Sequence, residues 1–191
     1  MGKSTVAGLF DELGVPTFDA DEAVRHFYAG EGAAVVEAAF PGVLVSGQVD
    51  RDRLGSQVLG DAEALRRLEG IVHPAVAQAR GQFLSRAEAA GRRLIVADVP
   101  LLFETGGEAN VDLVIVVSAP KSIQRARALA RAGMTEAKLE AILSRQTPDE
   151  EKKRRAHFVI DTGGRLELTR AIVAQFVRST AALTTGRRRH A

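Results

Sequence analysis

Gly2-Lys3-Ser4-Thr5 puts an ammonium and two hydroxyls among small residues, where a helical pattern begins. That order matches the end of the phosphate-binding loop G-x-x-x-x-G-K-[ST]. In such a loop backbone N–H groups wrap phosphates, the lysine neutralises their charge, and the next hydroxyl ligates Mg²⁺. Gly2 would be the second glycine, Met1 the loop residue before it, Lys3 the phosphate lysine and Ser4 the metal ligand. Read alone, the tetrapeptide is equally a small-residue helix start. Asp19-Ala20-Asp21 follows a short strand pattern and opens a helix, a place where open α/β sheets hold ligands. Asp21 could take a proton from a substrate hydroxyl while Asp19 orients it or reaches Mg²⁺ through water; alternatively Asp21 only caps the helix. Asp98 ends the apolar run RLIVAD as a metal-holding strand-end acid does. Arg127 and Arg131, four apart in a helical pattern, could turn two guanidiniums toward phosphate oxygens or form a solvated basic face. His73 precedes Pro74 and could border a ligand or cap a helix. His26, His157 and His190 show no metal-ligand spacing.

These residues need rigid elements to position them. Thr5 to Leu13 repeats apolar residues at helical spacing, with Gly14 as its C-cap, and Pro16 to Phe18 reads as a strand. The stretch from 21 to 90 is almost free of strands: helical patterns cover Glu22 to Ala29, Ala33 to Phe40, Arg51 to Leu59, Ala62 to Ile71 and Ala75 to Ala90. Pro41 to Asp50 reads as a loop with a short extended piece. Arg93 to Val99 and Leu113 to Val117 are apolar, β-branched runs suited to strands buried on both faces of a parallel sheet, joined by an irregular crossover from Pro100 to Asn110. Helices follow at Lys121 to Ala132, Thr135 to Arg145 and Pro148 to Arg155, then a strand at Phe158 to Ile160 and a last helix at Leu166 to Thr180. Strands alternating with helices give an α/β fold with a parallel sheet.

Composition narrows the classes. The chain has 191 residues, 46% hydrophobic and 26% charged, which suits one folded domain and excludes collagen-like or wholly disordered chains. With no cysteine, neither a disulfide framework nor a thiolate metal site or nucleophile is available. The net charge of +2 owes much to Arg187, Arg188 and Arg189, a solvated tail rather than a nucleic-acid surface. No apolar run is long enough to span a bilayer and no signal-peptide pattern opens the chain. A cytoplasmic protein is expected, without nucleic-acid, membrane or obligate protein partners.

Taken in order, GKSTVAGLFDELGV, the DAD at Asp19 to Asp21, His73-Pro74 and DVPLLFE at Asp98 to Glu104 resemble the dephospho-coenzyme A kinase family. So do Gln124, Arg127 and Arg131, Gln146, and HFVIDTGG from His157 to Gly164. The resemblance covers nearly the whole chain. It implies a P-loop kinase-like parallel sheet with helices on both faces. The core would be 1–20, 91–120 and 156–185, with a helical acceptor-binding insertion at 21–90, a helical lid at 121–155 and a basic tail at 186–191. It implies ATP and Mg²⁺, and transfer of the γ-phosphoryl group to the ribose 3′-hydroxyl of dephospho-coenzyme A. Met1, Gly2, Lys3, Ser4 and Thr5 would hold the ATP phosphates, with Ser4 and Asp98 toward the metal. Asp21 would be the general base, and Lys3, Arg127 and Arg131 would serve the transferring phosphate. Asp19, His73, Leu101, Leu102 and Phe103 would border the acceptor, with Glu104 in a polar supporting role.

Two positions depart from the family pattern, His157 where aspartate is usual and Thr162 where asparagine is usual, both toward the adenine side. The larger departure is the start. The family's first strand, central in its sheet between the runs at 93–99 and 113–117, and the first part of the phosphate loop do not precede Met1. The expectation is that Met1 is an internal methionine, with an apolar strand of about five residues and a glycine encoded upstream. The alternatives are another small-molecule or nucleotide kinase of the same fold, and a truncated, inactive relative acting as a binding module.

Overall fold

The structure, a computed structural model, describes residues 2–144 and 146–183. The expectations for Met1 and for the basic tail fall outside the described residues. The chain divides into two compact units, one formed by the residues up to Thr17 and from Arg93 onward, the other by Phe18–Arg92.

In the first unit, α1 (Lys3–Glu12) buries Val6, Leu9 and Phe10, the i, i+3, i+4 stripe of an amphipathic helix. They pack with Val173, Ile172, Phe176 and Val177 of α9 (Leu166–Leu183), where the Phe10 and Phe176 rings meet edge-on. Strands β5 (Ile115–Ser118) and β6 (Phe158–Asp161) pair in parallel, from Ile115 opposite Phe158 to Ser118 opposite Asp161. The period of two sends Ile115 and Val117 to the α1/α9 side, and sends Val114 and Val116 to the other face beside Phe103. The sheet is thus α/β, parallel and covered on both faces at β5. The run at 93–99 is corrected: β4 is only Val96–Asp98 and Ala97 is exposed, so it is not buried on both faces. The Val96 N–H donates to the Pro16 carbonyl at 2.9 Å, but among the described residues β4 and β5 share no ladder. Past β5 come α6 (Lys121–Leu129), α7 (Glu136–Leu143) and α8 (Asp149–Arg155).

β1 (Thr17–Asp19) leads into the second unit, which is built from α2 (Ala20–Ala29), α3 (Gly32–Ala39), α4 (Arg51–Val58) and α5 (Ala62–Ala89). Tyr28, Val36, Phe40, Val43, Leu54, Val58, Ala64 and Val72 form its core. Two expectations are corrected. The two helices expected on either side of Pro74 are one helix of 28 residues with the proline inside it. Proline removes one backbone bond and strains the turn, at about 3 kcal/mol. Leu68, Ile71, Val72 and Val76 nevertheless continue one apolar face across it, each worth up to about 1.5–3 kcal/mol when buried. Burial wins. The segment Pro41 to Asp50, expected to be a loop with one short extended piece, holds two: β2 (Leu44–Val45) and β3 (Gln48–Val49) form an antiparallel hairpin. Its turn residues Ser46 and Gly47 both have positive φ, 51° and 79°, the pattern of a two-residue type I′ turn. The Glu37 carboxylate anchors the entry, accepting N–H groups of Gly42, Val43 and Leu44 at 2.7, 3.0 and 3.0 Å. Those bonds outweigh its desolvation and hold Glu37 below the usual carboxylate range. Among the described residues, no helix is long and apolar enough to cross a membrane.

Candidate active site

Gly2 sits at φ 86°, ψ 12° and precedes the first turn of α1, where Val6 N–H donates to the Gly2 carbonyl at 2.9 Å. The left-handed conformation suits glycine. A Cβ here would also lie 3.2 Å from Thr162 Oγ1, so residue 2 is held small from both directions. The amides of Lys3, Ser4 and Thr5 come before the first intrahelical bond and leave a donor-rich, positive helix end. Ser4 and Thr5 are exposed. Lys3 Nζ is hydrogen-bonded and ion-paired to Asp98 at the end of β4; the Asp98 side chain is 6% exposed, that of Lys3 42%. A buried strand-end acid is therefore matched to the loop lysine.

Thr162 follows β6 and ties three elements together. Its N–H and Oγ1 donate to the Ser118 carbonyl at 2.8 and 3.0 Å. Arg127 donates to the Thr162 carbonyl through Nη2 at 2.9 Å and to Oγ1 through Nη1 at 3.4 Å. Gly163 must be glycine, since a Cβ would lie 2.5 Å from Pro120 Cδ. The first unit thus gathers Gly2, Lys3, Asp98, Arg127 and Thr162. Arg131 requires a correction. α6 ends at Leu129, and the backbone turns through Gly133 at φ 72°, so Arg131 is not on the helix of Arg127. Arg131 is exposed and makes no ion pair among the described residues. Arg125 instead clasps α7, pairing with Glu136 and, at 2.7 Å, with Glu140.

A cavity of about 420 Å³ opens at the C-terminal ends of β5 and β6, between Ser118, Pro120, Lys121, Asp149, Lys153 and Asp161. Ser118 Oγ donates to Asp149 at 2.7 Å and Lys153 pairs with Asp149 at 2.9 Å. Burial pushes the Asp149 carboxyl up, but Lys153 and Ser118 outweigh it and hold it below its ordinary value. Leu101 is exposed and Leu102 half-buried, whereas Phe103 is buried against Val114 and Val116 with Arg155 over its ring at 4.6 Å. Glu104 accepts the Thr147 N–H at 2.7 Å and pairs with Lys152 at 3.2 Å. His157 has a backbone role: its N–H donates to the Val114 carbonyl at 2.9 Å, and its Nδ1 accepts the Val114 N–H at 3.1 Å.

In the second unit, Asp19 caps α2, accepting the Glu22 N–H at 2.9 Å, with Arg25 4.0 Å from its other oxygen. Asp21, in the first turn of α2, is exposed and has no hydrogen bond or ion pair among the described residues. His73 lies exposed in the middle of α5, so it caps nothing.

The donor set suits Mg²⁺. Among the described residues no group of three or more His, Asp or Glu could cage a metal. Mg²⁺ in phosphoryl-transfer sites needs no such cage, because it takes one or two protein oxygens with phosphate and water. The Ser4 hydroxyl and the Asp98 carboxylate are hard oxygens of the right kind. The acids and bases of α8 lay hidden for sequence reasoning in the charged run from Asp149 to Arg155. Acids in its first turn and bases in its last were the available signal.

A family model, CoaE: Dephospho-CoA kinase, matches residues 1–167. The Mesorhizobium japonicum protein named dephospho-CoA kinase is 58% identical over 173 residues, 91% of this chain and 88% of that one. One from Rhodopseudomonas palustris is 54% identical over 181 residues, 95% of this chain and 91% of that one. A crystal structure from Thermus thermophilus superposes with a TM-score of 0.79 at 36% identity, covering 93% of this chain and 91% of the other. The dephospho-CoA kinase from Campylobacter jejuni, at 24% identity and a TM-score of 0.62 over 93% of this chain and 91% of that one, shares the fold. A match of that strength along nearly the whole described chain leaves one assignment: the chain belongs to the dephospho-CoA kinase family.

Proposed function

We propose that this chain transfers the γ-phosphoryl group of ATP to the ribose 3′-hydroxyl of dephospho-coenzyme A, giving coenzyme A and ADP, with Asp21 as general base. Within the family, the observation that carries the residue roles is Asp21 itself. It is exposed at the start of α2 and engaged by no hydrogen bond or ion pair among the described residues, Asp19 having taken the cap. A carboxylate with no other occupation can accept the hydroxyl proton as the oxygen attacks phosphorus.

Lys3 and the free amides at the start of α1 receive the β- and γ-phosphates, so that Lys3 exchanges Asp98 for phosphate oxygen. Ser4 and Asp98 would then hold Mg²⁺, which when bound supplies charge neutralisation on the phosphates. Arg127 faces the phosphate side from its anchor on Thr162, and Arg131 approaches from the turn after α6, as part of a lid. Catalysis is mainly positioning and charge neutralisation, with water excluded from the phosphoryl group. Leu101 and Leu102 offer apolar surface to the acceptor, and His73 borders it.

The test supplies ATP, Mg²⁺ and dephospho-coenzyme A, follows coenzyme A by mass spectrometry, and offers nucleosides and nucleoside monophosphates as competing acceptors. Formation of coenzyme A in preference to other products is expected. Preferred phosphorylation of another acceptor, or ATP binding without turnover, would overturn the proposal.

A further inference from the structure

Glu104 is tied more firmly than a loop carboxylate needs to be. It stands in the turn after β4, where Thr105 N–H returns to the Leu101 carbonyl at 3.1 Å and Gly107 N–H to the Leu102 carbonyl at 2.8 Å. Its side chain is 16% exposed and that of Lys152 is 11% exposed. Glu104 Oε1 takes both the Thr147 N–H, just before α8, and the Lys152 ammonium, inside α8. Glu104 Oε2 is buried and has no hydrogen-bond partner among the described residues. A second tie lies at the other end of α8, where Arg155 pairs with Glu108 and covers the Phe103 ring. α8 is further held to β5 by Ser118 and Asp149.

One largely shielded ion pair, a second at the exposed Arg155, a backbone bond and a cation over an aromatic face all join one short helix to one loop. Surface pairs contribute little, but pairs shielded from water and completed by hydrogen bonds fix geometry. The opposing balance on Glu104 agrees: burial pushes its carboxyl up, yet the Thr147 amide, its own amide and Lys152 outweigh that and keep it below the usual range. α8 is thereby part of the same body as the loop. α6 and α7 are joined to each other by Arg125, and α6 is tied separately to the strand ends through Arg127 on the Thr162 carbonyl at 2.9 Å and Gln124 Nε2 on the Ala119 carbonyl at 2.7 Å.

We propose that Glu104 is a positioning residue: through Thr147 and Lys152 it fixes the loop carrying Leu101 and Leu102 against α8, and so sets acceptor affinity rather than the chemical step. This rests on the reading of Leu101 and Leu102 as acceptor-facing. Glu104 does not touch the acceptor. Lys152, which has no other ion-pair partner among the described residues, acts only through it.

The experiment compares Glu104→Gln, Lys152→Met, the double variant and Lys152→Arg by steady-state kinetics with MgATP and dephospho-coenzyme A, and by amide hydrogen exchange without ligands. The acceptor KM should rise about tenfold in either single variant, consistent with loss of a charge-assisted hydrogen bond. The ATP KM and kcat should stay within about twofold, the double variant should be no worse than either single, and Lys152→Arg should recover most of the loss. Exchange should quicken together at 101–106 and at Thr147. Additive effects, a larger loss for Glu104→Gln than for Lys152→Met, or a shared rise in both KM values would overturn the proposal. Exchange that quickens in one segment alone, or in neither, would overturn it even for a protein that does not phosphorylate dephospho-coenzyme A. Failure of the parent protein to form coenzyme A strikes the functional reading instead.

Discussion

The Asp19 carboxylate accepts the Glu22 N–H at 2.9 Å and so occupies the helix cap that the nearby Asp21 would otherwise fill. Asp21 is thus left without the capping role, and substitution tells the two acids apart. Asp21→Asn should lose about 10²–10⁴-fold in turnover with ATP affinity and unfolding midpoint unchanged. Asp19→Ala should cost about 1 kcal/mol of stability. Turnover and urea unfolding measured on both variants check this; near-normal turnover in Asp21→Asn would remove the general-base role.

Arg127 and Arg131 are expected to diverge. Arg127 holds the Thr162 carbonyl, whereas Arg131, in a turn, has no ion pair among the described residues. Arg131→Ala should lower kcat more than it raises the acceptor KM and leave the unfolding midpoint alone. Arg127→Ala should lower kcat and also loosen the loop after β6, seen as faster amide exchange at Thr162 and Gly163. A pure KM effect would make both of them ground-state binding residues.

Asp149 gives a pH dependence with a defined sign. Its folded-state pKa is depressed, so its charged form contributes stability that is present above the unfolded value of about 3.9 and lost as pH falls through the lower folded value. Asp149→Asn should therefore be less stable than the parent at pH 7, and the gap should close as pH falls through the depressed folded-state value. Urea midpoints of the two proteins across this range decide it. A gap that persists in acid would mean that shape, not charge, carries the contribution.

Pro74 sits inside a continuous 28-residue helix at an exposed position. Pro74→Ala restores the missing donor and should stabilise the protein by about 1–3 kcal/mol. A decrease in the urea midpoint would show that the packing of Val72 depends on the proline.

The alternation of strands and helices was legible because apolar period and β-branching report burial directly, as at 115–118. Pro74 misled for a local reason: proline is a helix breaker when backbone terms decide, and here a continuous apolar face decided instead. The hairpin at 44–49 went unread because Ser46-Gly47 is a weak turn signal and each strand is only two residues long. Lys3 and Asp98, singled out from motif order, do meet in the structure. The Glu104, Thr147 and Lys152 bracket was not legible, because it joins residues 43 and 48 apart in sequence. Charge composition carries no information about which acid meets which base.

The three amides collected by Glu37 have a consequence for how the molecule meets its own copies. A two-stranded hairpin has two open edges, and edge N–H groups are templates for a foreign strand. At the entry to β2 those donors, including the Leu44 N–H within the strand, are already consumed by a side chain from the preceding helix. An approaching chain finds the amides of that edge already taken, so the β2 edge is guarded against edge-to-edge association. Loss of that carboxylate, as in Glu37→Ala, would expose the edge before it disturbed the core.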